Sequence, residues 1–133
     1  MESRDAALAY KDASIESAPP IQIVRLLYQG ALRFLDNAAE TDPTAERARF
    51  DDALLRADAV VAELRLALAH EHAPELTEQL SRLYLFIEER IRAALRERST
   101  RPIGEARAIL ARLNDAWSQL DVGAAADSRR NVA

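Results

Sequence analysis

The sequence predicts an all-α protein: an antiparallel up-down four-helix bundle with a short N-terminal leader and a disordered C-terminal tail. Three observations carry this. Apolar residues recur at steps of three and four through four segments of similar length. Alanine, leucine, arginine and glutamate, all strong helix formers, dominate a chain with only 3 Gly and 5 Pro in 133 residues. The prolines fall at the borders of the periodic segments. Valine and isoleucine never alternate with polar residues over a strand length, so no sheet is expected. A chain of this size makes one domain.

Residues 1–19 read as a leader, with Leu8, Tyr10 and Ile15 as its large apolar residues. The bundle is expected over residues 20–121. Pro19-Pro20 stops the leader and starts helix one, because proline fits the first helical turn. Ile23, Leu26, Leu27, Gly30, Ala31, Phe34, Leu35 and Ala38 then make one apolar face. Val24, Tyr28 and Leu32 form a second line beside it. A helix that buries one face does not need that second line, which leaves it for another packing partner.

Asp42-Pro43 breaks helix one, and Asp42 can cap helix two with Pro43 in its first turn. Helix two carries Phe50, Ala53, Ala57, Val60, Leu64 and Ala67 on its main line, with Leu54, Val61 and Leu68 beside it. Pro74 opens helix three, with Leu76, Leu80, Leu83, Ile87 and Ala94 on one stripe and Tyr84, Ile91 and Leu95 on another. Arg101-Pro102 opens helix four, where Ile103, Ala106, Leu110, Leu113, Trp117 and Leu120 keep the rhythm. Connections of a few residues make consecutive helices antiparallel neighbours. Residues 122–133 are small and polar and read as the disordered tail.

Composition narrows the function classes. The net charge is −4 and no basic stripe for nucleic acid is apparent. There is no cysteine, hence no disulfide framework or thiolate zinc site. His70 and His72 flank Glu71, but residues two apart point away from each other on a helix, and the Glu-x-x-His of di-metal bundles is absent. No phosphate loop or nucleophile elbow is present, so neither a cofactor nor an enzymatic activity is expected. No apolar run reaches the ~20 residues of a membrane span, and the N-terminus lacks a signal-peptide core. The cytoplasm is the expected compartment.

Several single residues bear two readings. Gly30 inside a helix is either tolerated or marks the close approach of another backbone. Trp117 is expected as a core anchor, and Arg90 as one half of a partly buried salt bridge. The second apolar lines either widen the core or face a groove that takes an amphipathic or extended partner segment. On the groove reading, Leu54, Val61 and Leu68 of helix two and Tyr84 and Ile91 of helix three are the contacts.

Three pieces also carry a resemblance. Ala9-Tyr10, Ser17-Ala18-Pro19-Pro20 and Leu27-Tyr28-Gln29-Gly30-Ala31 resemble the start of the flagellar secretion chaperone family FliS. Leu83-Tyr84-Leu85-Phe86-Ile87 with Arg90, and Asp115-Ala116-Trp117, follow in matching order and spacing. The resemblance implies a cytoplasmic chaperone that binds the disordered C-terminal segment of flagellin, blocks premature polymerisation and holds the subunit for the type III export gate. It also implies that in the free protein the leader, whose family tyrosine matches Tyr10, lies over part of the groove and yields to flagellin. An anti-sigma factor or flagellin-binding regulator would be a second client, and a weak homodimer a further association. The alternative is a self-associating regulatory or scaffold bundle with no export role.

Four positions depart from the family pattern. Ala7 stands where an apolar residue precedes the leader tyrosine. Gln29 and Leu85 stand where acids are common. Pro19 replaces the serine of a Ser-Pro-x-Gln capping box, so helix one starts without that side-chain cap unless Ser17 supplies it.

Overall fold

The computed structural model describes residues 21–68, 71 and 73–132, with side chains described through 119. The expected leader with Tyr10, the Ser17 or Pro19 cap, and His70 and His72 lie outside the described residues. Four helices follow in order: α1 (Ile21–Ala39), α2 (Arg47–Leu66), α3 (Pro74–Glu97) and α4 (Arg101–Val132). Close packing runs α1 to α2, α2 to α3, α3 to α4 and α4 back to α1. Short connections and this ring of neighbours give the up-down bundle that the sequence predicts.

The borders follow from local chemistry. Pro43 biases Asp42 away from helical backbone and ends the first segment. Asp42 Oδ1 then accepts from the backbone N–H groups of Thr44 (2.9 Å) and Ala45 (3.0 Å) and from the Thr44 hydroxyl (3.0 Å). The Ala45 and Thr44 donors hold the Asp42 carboxyl below the usual carboxylate range. Residues 43–46 make a capped turn, and regular α2 starts only at Arg47.

Pro74 occupies the first turn of α3, with Glu75 beside the positive end of the helix dipole. Arg98 ends α3 in the left-handed region, at φ 53°. That turn lets the Ser99 N–H reach the carbonyl of Ala94 at 3.2 Å. The Ser99 hydroxyl then accepts from the Arg101 N–H at 3.1 Å, where α4 begins. The sequence reading ends the bundle at 121, whereas helical backbone runs to Val132. The alanine run after Gly123 has the propensity for it.

The core is one seam of alternating steps. In α1 it is Val24, Tyr28, Ala31, Leu35 and Ala38. In α2 it is Phe50, Leu54, Ala57, Val61 and Leu64, continued by Leu68 just past the helix end. In α3 it is Thr77, Leu80, Tyr84, Ile87, Ile91 and Ala94. In α4 it is Ile103, Ala106, Leu110, Leu113 and Trp117. Each series alternates three and four residues, the 3.5-residue period that keeps a helix face toward its neighbours.

This corrects the reading of α1. Val24 and Tyr28, taken as the second line, are core. Ile23 and Leu26, taken as core, lie at the surface with 47% and 63% exposure. Bulk and hydrogen bonding explain the rotation. The Tyr28 ring lies 6.4 Å from Tyr84 and 6.5 Å from Trp117, so three large aromatics share the middle of the bundle.

Candidate functional site

The five bundle residues proposed as groove contacts do not line a surface. Leu54, Val61, Leu68, Tyr84 and Ile91 are all buried in the core. The apolar lines beside the main stripes of α2 and α3 widen the core, because a helix with two neighbours in a ring buries a broad face. In the free bundle these side chains are not presented to a partner. Tyr10 lies outside the described residues.

The surplus apolar surface lies elsewhere. On α1, Ile23 and Leu26 are exposed, and Leu27 and Phe34 are half-buried at the edge of the core. Ile23, Leu27, Gly30 and Phe34 follow steps of four, three and four, so they share one face. Leu26 adjoins it three residues after Ile23. Leu55 and Leu66 are exposed on α2, Leu66 by 76%, and so are Leu85 and Phe86 on α3. Single exposed leucines are ordinary; on α1 the exposed Ile23 and Leu26 adjoin the half-buried Leu27 and Phe34 and make a continuous apolar strip.

Gly30 belongs to this line. A Cβ added there would meet nothing within 4 Å among the described residues. Among the described residues no other backbone approaches it closely. A glycine inside a helix costs about 1 kcal/mol relative to alanine, and no contact within the described bundle offsets that cost.

Polar clasps hold the wall behind the surface. Arg49 Nη2 donates to Asn37 Oδ1 at 3.3 Å across α1 and α2. Arg107 meets Asp36 at 2.5 Å across α4 and α1. Arg98 grips both oxygens of Asp51, at 2.5 and 3.1 Å, across the end of α3 and α2. That hydrogen bond holds the Asp51 carboxyl below its usual range and raises Arg98. Arg90 reaches Glu105 on α4 at 3.5 Å and Glu89 at 2.7 Å, with its guanidinium 5.9 Å from the Phe86 ring centroid. Its side chain is half-buried, as its position on a largely apolar register predicts.

The deepest charges lie between α2 and α3. Glu88 is only 1% exposed and accepts from Arg65 Nε at 2.7 Å and Nη2 at 3.3 Å. Arg92 lies 3.8 Å from Glu88 and 3.9 Å from Asp58. Burial pushes the Asp58 carboxyl above its usual range, and the neighbouring Glu88 adds to this against the pull of Arg92. Glu88, an acid on a buried register, carried a signal in the sequence that helical spacing alone would have exposed.

Nothing in this arrangement activates a nucleophile. Among the described residues no group of His, Cys, Asp or Glu could hold a metal ion. None of the helices is long and apolar enough to cross a membrane, over the same residues. Some ionisable groups clasp neighbouring helices, as Arg65–Glu88 and Arg107–Asp36 do, and others pair along one helix, as Arg56–Asp52 and Arg82–Glu78 do.

The family model of the flagellar protein FliS matches residues 3–124. The chain belongs to that family, which is a family of chaperones and not of enzymes. It is similar to the flagellar secretion chaperone FliS of Bacillus subtilis (strain 168), at 26% identity over 111 residues. That match spans 84% of this chain and 82% of the relative.

Proposed function

We propose that the protein is a cytoplasmic export chaperone for flagellin. It binds the disordered C-terminal segment of newly made flagellin, prevents its polymerisation and delivers it to the type III export gate. The family membership supports the chaperone role. The observation that carries the binding mode is the apolar line on α1, exposed at Ile23 and Leu26 and half-buried at Leu27 and Phe34.

The physics suits a disordered client. A segment that orders on binding loses conformational entropy, so it needs an extended apolar contact that is already formed on its partner. A rigid bundle with an apolar strip along one helix provides this. The partner then lays its own apolar face along the strip, as a helix or as an extended chain. Leu54, Val61, Leu68, Tyr84 and Ile91 contribute by fixing the helices beneath the strip. Tyr10 of the leader is a further contact in this reading.

Calorimetric titration with the C-terminal segment of flagellin tests it. Saturable one-to-one binding, a negative heat-capacity change and a gain of helix are expected. Absence of heat together with concentration-dependent self-association would favour the scaffold alternative.

A further inference from the structure

Gly30 has no conformational reason to be glycine. It sits inside α1, and no described glycine has a positive φ. It has no packing reason within the described bundle either, because the space over its Cα is open. Its setting is specific, however. Ile23 and Leu26 precede it by seven and four residues and are exposed, and Phe34 follows by four and is half-buried. Bare backbone between large apolar side chains makes a saddle on the surface of the helix.

We propose that Gly30 is a specificity determinant for the bound flagellin segment. This rests on the chaperone reading. The missing side chain lets one turn of the bound segment approach α1 closely, with a small residue facing Gly30. Ile23, Leu26 and Phe34 hold that turn from either end. Interaxial distances between helices range over about 8–10 Å according to the side chains at the contact, and a glycine allows the short end of that range. A segment with a bulky residue at the facing position is held off and loses the flanking contacts as well.

Gly30→Ala and Gly30→Leu in the full chain test this. Each is melted alone and titrated calorimetrically with the C-terminal segment of flagellin, beside the wild type. Both variants are expected to melt at or above the wild-type midpoint, since both residues favour helix and a Cβ at this position meets nothing within 4 Å among the described residues. Affinity is expected to fall roughly tenfold for alanine, the effect of modest overpacking in a closed interface, and further for leucine. A raised midpoint with unchanged affinity would overturn the proposal. So would a lowered midpoint for Gly30→Ala, which would mean that the chain itself fills the saddle. A wild type that does not bind at all would overturn the chaperone reading, and the proposal with it.

Discussion

The hydroxyls of Tyr28 and Tyr84 meet at 2.5 Å in the centre of the bundle, joining α1 to α3 across the diagonal. Both rings are buried, and each hydroxyl is a donor and an acceptor that would cost free energy if left short of partners. The pair fixes the rotation of α1, turning Tyr28 inward and Ile23 and Leu26 outward. The core geometry thereby sets which apolar line reaches the surface.

Tyr28→Phe and Tyr84→Phe are each expected to lower stability by about 1 kcal/mol in urea unfolding. The double variant is expected to lose less than the sum, with a coupling of at least about 0.5 kcal/mol. Strict additivity would show that the two hydroxyls do not support each other.

The Arg65–Glu88 clasp predicts an asymmetry. Arg65→Ala leaves a buried carboxylate with Arg92 alone as its cation among the described residues, so a loss of about 3 kcal/mol is expected. Glu88→Gln keeps the shape and removes the charge, while Arg65, 26% exposed, can turn toward water. Its loss is expected to be smaller, roughly 1–2 kcal/mol. Equal losses in paired denaturation curves would contradict this placement of Glu88.

Asp58 and Asp51 predict opposite pH effects. The Asp58 carboxyl is raised in the fold above its ordinary 3.8, so its ionised form opposes folding at neutral pH. Asp58→Asn is therefore expected to raise stability at pH 7. That gain should disappear as the pH falls below about 3.8, where the carboxyl is protonated folded or unfolded. Asp51 is lowered by Arg98, so its contribution is present at neutral pH and lost as acid titrates it in the fold. Asp51→Asn should cost stability at pH 7 and nothing at strongly acidic pH. Melting midpoints across pH decide both.

Element borders were legible in the sequence wherever proline or a capping side chain marks them, as at Asp42-Pro43, Pro74 and Arg101-Pro102. Helix rotation was legible only in α4. There Ile103, Ala106, Leu110, Leu113 and Trp117 alternate steps of three and four without a break, and all five are buried. The face read in α1 mixed neighbouring registers, because a helix with two apolar lines satisfies the looser rule on either of them. The strict alternation Val24, Tyr28, Ala31, Leu35, Ala38 was present, but choosing it requires knowing that a bundle seam repeats at 3.5 residues. In α2 and the turn after it, the seven-residue spacing of Leu54, Val61 and Leu68 is half of such a seam, which is why those residues are core. Binding surface was the least legible quantity, since it consists of what the neighbours leave uncovered.

The most direct measurement compares Leu26→Glu and Val61→Glu in one experiment, each melted and each titrated with the C-terminal segment of flagellin. Leu26 is surface and Val61 is core. Leu26→Glu is expected to melt like the wild type and to lose binding by roughly tenfold or more, as a central interface truncation does. Val61→Glu is expected to unfold the bundle, because a carboxylate there is buried without a partner. Full affinity in Leu26→Glu, or a folded Val61→Glu that no longer binds, would contradict the account and return the binding surface to the α2 line.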